Sequence, residues 1–306
     1  MSPSVEVRQL TKKYGGTTAV DGLTFSVHPG RVTGFLGPNG AGKSTTMRAI
    51  VGLDRPTSGE VLIDGRRYEQ LDQPLCQVGA LLDAKSLHPG RTVRAHLAGL
   101  ARSNRIPARR VDEVLELVGL TAVAGKRAKG LSLGMGQRVG VAAALLGDPR
   151  VLLLDEPVNG LDPEGILWIR ALMKGLAAEG RTVFVSSHLM SEMALTADHL
   201  IVIGQGRLLA DSSVEEFVNR NSRSYVLIRT PEPEKLRDVL AAGNIVVEPG
   251  DGGALEALGT TPEVIGALAA EHRITVYEIS PRVASLEEAF MQLTADAVDY
   301  RAKQEV

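Results

Sequence analysis

The chain has 306 residues, room for about two domains at roughly 150 residues each. A composition of 44% hydrophobic and 23% charged residues supplies a core and excludes wholesale disorder. With 34 Lys and Arg against 36 Asp and Glu the net charge is −2, which argues against a general nucleic-acid coat, and the single cysteine, Cys76, excludes an internal disulfide or a four-cysteine zinc site. Met1 to Leu10 carries Glu6 and Arg8 and lacks the pattern of a secretory signal. The densest apolar stretches, Val139 to Leu146 and Val151 to Leu154, are far shorter than the ~20 residues of a membrane helix. The expectation is a cytoplasmic chain that does not itself span a membrane.

Val5 to Leu10, Gly22 to Val27 and Arg31 to Leu36 are predicted strands by β-branched and alternating content. Thr45 to Leu53 reads as a helix directly after a glycine-rich turn, and Val61 to Ile63 as a strand closed by Asp64-Gly65. From Thr92 to Leu146 the period becomes helical, with Val111, Val114, Leu115 and Val118 on one stripe. Val151 to Leu154 and Thr182 to Ser186 are continuous apolar runs, the pattern of buried parallel strands. Gly165 to Ala178 and Ser191 to Ala197 are predicted helices, and Leu200 to Ile203 a strand turning at Gly204-Gln205-Gly206. The tail reads as strand Tyr225 to Ile228, helix Pro233 to Ala242, strand Ile245 to Glu248, weak strand Ala254 to Leu258, helix Pro262 to Glu271 and strand Ile274 to Ile279. That β-α-β-β-α-β order predicts a ferredoxin-like sandwich, followed by a helix whose start, Ser285 with Glu288 three residues on, has the form of a capping box.

Charge is unevenly spread along the chain. Residues 86–145 hold ten Lys and Arg against three Asp and Glu, and residues 216–306 hold nine against fifteen. Solvated helix faces account for both; a surface near anionic headgroups or a partner's charged loop is the sharper reading of the first.

Gly37-Pro38-Asn39-Gly40-Ala41-Gly42-Lys43-Ser44 fills every fixed position of G-x-x-x-x-G-K-[ST], between a predicted strand and a predicted helix. The physical content is a phosphate cradle. Glycines let backbone N–H groups turn toward phosphate oxygens, and the helix N-terminus adds positive potential. Lys43 reaches the β- and γ-phosphates, and the Ser44 hydroxyl is a Mg²⁺ ligand. The apolar run 151–154 ends in Asp155-Glu156, which puts Asp155 at the carboxyl edge of the sheet, suited to the Mg²⁺ shell, and Glu156 one residue on, suited to deprotonating the attacking water.

With these residues in place the chain resembles an ATP-binding cassette (ABC) ATPase over roughly residues 5–215. Leu131-Ser132-Leu133-Gly134-Met135-Gly136-Gln137-Arg138 looks like that family's signature, Asn159-Gly160-Leu161-Asp162 like its D-loop and His188 like its switch histidine. The resemblance implies an α/β P-loop fold, a RecA-like core of about 1–85 and 146–215 carrying a helical subdomain of about 86–145, with residues 216–306 as an accessory α+β domain. It implies a nucleotide set of Tyr14, stacked on adenine, with Gly37 to Ser44 and Thr45, and catalytic roles for Glu156 and His188. Ser132, Leu133, Gly134 and Met135 act on the partner's ATP, and Asp162 serves the D-loop. The cofactors implied are ATP and Mg²⁺.

Two departures stand out. Leu133 replaces the first signature glycine, and Asp83, after Val78 to Leu82, stands where the family has a glutamine. A carboxylate there can still serve Mg²⁺ or its water, so Asp83 joins Ser44 and Asp155 as a candidate metal ligand, but when ionised it donates no hydrogen bond.

One cradle and one signature per chain imply a homodimer or pairing with a similar chain, the triphosphate being neutralised from both sides. The short helical insert, the stretches Val78 to Pro89 with Arg91-Thr92-Val93 and Leu131 to Pro149, and a tail ending in Ser285 to Phe290 resemble drug- and antibiotic-export ATPases of the bacitracin- and daunorubicin-resistance type. These work on the cytoplasmic face of the membrane with a separate integral-membrane permease of the ABC-2 type, and with no nucleic acid. The competing readings are an importer ATPase and a soluble ABC ATPase acting on nucleic acid or ribosomes.

Overall fold

The computed structural model describes Ser2 and residues 4–83 and 87–294. Residues 84–86 of the Val78 to Pro89 stretch, and the last twelve residues of the region predicted as the accessory domain, lie outside the described residues. Two compact units divide the described chain, one comprising the described residues up to Val214 together with Thr294 and one spanning Glu215–Leu293.

In the first unit, β1 (Val5–Tyr14), β2 (Thr17–Val27) and, beyond β3 (Val32–Leu36) and α1 (Lys43–Ile50), β4 (Ser58–Ile63) form an antiparallel sheet in the order β2-β1-β4. A one-turn helix α2 (Pro74–Gln77) leads into β5 (Val78–Leu81), and then come α3 (Val93–Ser103), α4 (Arg109–Leu117) and α5 (Leu133–Leu145). The chain returns through β6 (Val151–Asp155), α6 (Pro163–Ala178), β7 (Thr182–Ser186), α7 (Met190–Thr196), β8 (His199–Gly204) and β9 (Arg207–Ser213). The second sheet runs β5-β6-β7-β3-β8-β9, parallel except for the β8–β9 hairpin.

The apolar runs explain this order. Every residue of β3 and β7 is buried, as is β6 up to Leu154, and strands buried on both faces belong inside a parallel sheet. One core joins the two sheets and α1. Phe25 of β2, Phe35 of β3 and Phe184 of β7 meet there with ring centroids 4.9–5.7 Å apart, backed by Met47 and Ile50. Because β3 lies between β7 and β8, its carboxyl end opens at the point where connections leave in opposite directions, the usual ligand position of such sheets.

In the second unit, α8 (Val214–Asn221) precedes β10 (Tyr225–Arg229), α9 (Pro233–Ala242), β11 (Val246–Pro249), β12 (Leu255–Leu258), α10 (Pro262–Glu271), β13 (Glu278–Arg282) and α11 (Leu286–Thr294). The sheet order β11-β12-β10-β13, antiparallel throughout, is the ferredoxin-like arrangement, with Val226, Ile228, Leu236, Leu240 and Ile265 in its core.

Its last strand begins four residues later than Ile274. Arg273 takes a left-handed φ of 53° and the Ile274 N–H bonds back to Ala269, so residues 274–277 close α10 and cross to β10 before pairing starts. At α11, Ser285 Oγ accepts from Glu288 N at 3.2 Å, but Glu288 Oε2 accepts from Ser222 Oγ at 2.9 Å instead of turning back to its own cap, so half of the predicted box forms. Among the described residues no helix is long and apolar enough to cross a membrane.

Candidate active site

The loop 37–44 turns from β3 into α1, and Gly42 makes the turn possible. Its φ is 100°, and a Cβ there would stand 2.5 Å from the Ala19 carbonyl oxygen. The next residue, Lys43, is only 8% exposed and donates from Nζ to the carbonyls of Gly37 at 2.6 Å and Pro38 at 3.3 Å. Burial pushes its ammonium below the ordinary lysine range, with Glu156 and Asp155 pulling the other way. Residues 38–45, Ala19, Asp155 and Glu156 line one cavity of about 300 Å³.

Register brings the acids to it. Asp155 of β6 pairs with Ser186 of β7 at the carboxyl ends of adjacent strands. Ser44 Oγ donates to Asp155 Oδ2 at 2.7 Å, and Ser186 Oγ donates to Asp155 Oδ1. Glu156 leaves the strand at a left-handed φ of 51° and is held on every side. Its N–H donates to Ser186 Oγ at 3.0 Å and Ser186 O at 3.3 Å, and its carbonyl accepts from Gln137 Nε2 at 3.0 Å. Its Oε2 lies 2.7 Å from His188 Nδ1. Lys43, Ser44, Asp155, Glu156 and His188 are thus one cluster, as the sequence leads one to expect. Ser186 and Gln137 are the members that sequence reasoning missed. Ser186 is the polar end of an apolar strand, and Gln137, 4% exposed, is a polar residue inside a helical stripe; both were visible signals.

The other predicted residues stand elsewhere. Tyr14 does not line the cavity; its hydroxyl donates to Asp54 Oδ2 at 2.7 Å and its ring lies 4.8 Å from Lys12 Nζ. Ser132 caps α5, its Oγ accepting from Met135 N at 3.2 Å, so that Ser132, Leu133, Gly134 and Met135 form a first turn. That turn borders a separate depression with Leu87, Pro89 and Lys129, away from the phosphate loop of its own chain. Asp162 caps α6 through Gly165 N at 2.9 Å. Asp83 is exposed just past β5 and does not line the phosphate cavity. No group of three or more His, Cys, Asp and Glu side chains able to hold a metal occurs among the described residues; at the cradle the Ser44 hydroxyl and the Asp155 carboxylate stand 2.7 Å apart. That is a set suited to Mg²⁺, which takes one or two protein oxygens and completes its shell with phosphates and water.

Such a cradle at the end of a central parallel strand, with a strand-end acid pair beside it, defines a P-loop nucleotide-hydrolysing cassette. The family model described as ABC transporter matches residues 20–159, a second, for a domain of unknown function (DUF8746), matches 224–287, and one described as an AAA domain, putative AbiEii toxin, Type IV TA system, matches 125–194. The uncharacterized ABC transporter ATP-binding protein YhcH of Bacillus subtilis (strain 168) is 37% identical over 299 residues, covering 97% of each chain. The bacitracin transport ATP-binding protein BcrA of Bacillus licheniformis is 40% identical over 243 residues, 77% of this chain and 78% of that one. Among solved structures, the dimeric ABC transporter cassette MJ0796 superposes with a TM-score of 0.63 at 27% identity, over 68% of this chain and 98% of the other. The chain belongs to the ABC transporter ATP-binding proteins, and it is an ATPase.

Proposed function

We propose that this ATPase powers efflux of a drug, antibiotic or lipid-like cargo through a separate permease of the ABC-2 type, acting at the cytoplasmic face of the membrane as a pair of cassettes. The likeness to the bacitracin transport subunit supports the class of cargo, and the likeness to a dimeric cassette supports the pairing. The observation that carries the chemistry is the set of bonds around Glu156, which aims one carboxylate at the phosphate cavity.

When ATP enters, Lys43 Nζ exchanges the Gly37 and Pro38 carbonyls for β- and γ-phosphate oxygens, and the phosphates favour the charged form against the opposing effect of burial. The Ser44 hydroxyl and the Asp155 carboxylate would hold Mg²⁺, which when bound would supply positive charge to the triphosphate. Glu156 takes a proton from water as the water oxygen bonds to the γ-phosphorus and the bridging β–γ oxygen departs with ADP. His188 orients the carboxylate before nucleotide arrives and then serves the γ-phosphate. The partner's Ser132 hydroxyl and α5 N-terminus complete the anion's coordination. Tyr14 stacks on adenine, Asp162 takes the D-loop role across the pair, and Asp83 serves the water shell of the metal. Asp83→Ala then raises the Mg²⁺ requirement for hydrolysis, and Asp83→Gln tends to restore function.

Glu156→Gln tests the reading. It keeps shape and removes basicity, so turnover falls by at least about a hundredfold while ATP binding survives. The protein accumulates as an Mg²⁺-ATP dimer on size exclusion. Hydrolysis within a few-fold of the natural chain rejects Glu156 as the base. Reconstitution with its permease, scored by cargo-stimulated hydrolysis and by the direction of cargo movement in vesicles, tests export.

A further inference from the structure

Leu133 is 57% exposed, although it opens a helix whose other apolar residues are mostly buried. Its side chain is seated on Gly160, between Glu156 and Asp162. A Cβ added to Gly160 would overlap Leu133 Cγ and Cδ2, and Gly160 holds a φ of 75° that disfavours any such side chain. One residue on, a Cβ at Gly134 would stand 2.8 Å from the Gly160 carbonyl oxygen. One turn further along the same helix, Gln137 Nε2 donates to the Glu156 carbonyl at 3.0 Å. The first two turns of α5 therefore grip the 156–162 loop at both ends, by a polar bond at Glu156 and by apolar contact at Gly160. Beyond the loop, Arg138 stacks its guanidinium 4.4 Å from the Trp168 ring of α6, so the helix is also anchored past the loop's far end.

We propose that Leu133 is a positioning residue that clamps the signature turn to the loop carrying Glu156. Movement of Ser132 on the partner's nucleotide is thereby transmitted, inside one chain, to the base acting on that chain's own nucleotide. A glycine at residue 133 has no atoms with which to make this contact. The clamp replaces a smooth signature turn with a side chain keyed to the bare face of Gly160. The proposal rests on the composite-site reading given above. It adds that the two sites of a pair are coupled through a contact within each protomer, and the size of the coupling is set by the fit of one isobutyl group. Communication of this kind is a difference in free energy between the two arrangements of the loop, typically about 5- to 150-fold in affinity or occupancy.

The test is a double-mutant cycle on the full chain with its permease, reading ATP hydrolysis against ATP concentration, with calorimetry to confirm folding. Leu133→Ala lowers kcat by about fivefold or more and moves the Hill coefficient toward about one, with the half-saturating ATP concentration changed less than about twofold. Leu133→Met, which keeps an apolar side chain over Gly160, restores most of both. Gly160→Ala, which drives a methyl into the Leu133 side chain, costs about tenfold in the natural background and clearly less in the Leu133→Ala background, because part of its cost is that overlap. Equal cost in both backgrounds, or a Leu133→Ala protein with unchanged Hill coefficient and kcat, overturns the clamp. Ser132→Arg separates this from failure of the underlying reading: hydrolysis unaffected by Ser132→Arg rejects the composite site itself, whereas hydrolysis lost in Ser132→Arg with an additive cycle rejects the clamp alone.

Discussion

Lys43 is the one charged side chain among the buried described residues, and its ammonium rests on two carbonyls with no carboxylate bonded to it. Such a group lowers the stability of the empty protein in exchange for a site poised for phosphate. Lys43→Met should therefore separate the two properties. Turnover falls by at least about a thousandfold, since the main side-chain counter-charge to the β- and γ-phosphates is gone. The unfolding midpoint without nucleotide, read by calorimetry, stays at or above that of the natural chain. A midpoint that drops by several degrees contradicts the stability cost assigned to this buried ammonium. Ser186 supports two neighbours at once, Asp155 through its hydroxyl and Glu156 through both its hydroxyl and its carbonyl. Ser186→Ala frees Asp155 and Glu156 from their fixed positions, and loss of that orientation is expected to lower kcat by about tenfold or more in steady-state assays.

At the scale of elements, the antiparallel β1–β4 sheet is tied to α1 by a small charged cluster. Asp54 accepts from Arg48 Nε at 2.8 Å and from the Tyr14 hydroxyl at 2.7 Å. The Arg48 guanidinium, against the opposing effect of burial and with help from Tyr14, holds the Asp54 carboxyl below the usual carboxylate range. A folded value below the unfolded one, about 3.9, means the cluster stabilises the fold above that pH and loses its contribution as pH falls through the folded value. Asp54→Asn should thus lower the urea midpoint near about pH 6, and the difference from the natural chain should shrink toward about pH 3. A pH-independent difference would assign the loss to packing.

The elements most legible in the sequence are those whose burial decides them. Thr182 to Ser186, Pro233 to Ala242 and Pro262 to Glu271 are found with the predicted bounds because an apolar run or a proline start fixes each end. The ends of β1 and β2 were hidden by Lys12, Lys13 and Tyr14, which pair in the ladder while facing water, with Gln9 in a left-handed bulge that breaks the alternation. In β13, Ile274 and Val276 are apolar because they lie against α10, and their alternation imitates a strand that pairs only further on. The candidate site was legible in its motifs. The bonds that give Glu156 its direction were not, since Ser186 and Gln137 reach it from thirty residues downstream and nineteen upstream, a proximity created by the β6–β7 register for Ser186 and by the placement of α5 for Gln137.

For the whole molecule, one cavity holds the phosphate cradle and the signature turn borders another. In the head-to-tail pair proposed above, the second of one chain meets the first of the other. Ser132→Arg is accordingly expected to leave binding of a fluorescent ATP analogue within about threefold in the isolated chain, while hydrolysis in the paired assembly falls at least about a hundredfold. Loss of binding in the monomer would mean that Ser132 serves its own cradle.

The pairing of Ser44 with Asp155 across 111 residues of chain has a further consequence, for synthesis rather than catalysis. A ribosome delivers the cradle long before the acid, and the acid before Ser186, so the nascent polypeptide carries an isolated glycine-rich loop with nothing to oppose it. Non-local parallel pairing is slow to form because chain closure must precede the contacts that reward it. A chain stalled before β7 holds the cradle and both acids but lacks Ser186 and His188, the side chains that fix Asp155 and Glu156, so it is expected to hydrolyse ATP far more slowly than the full chain.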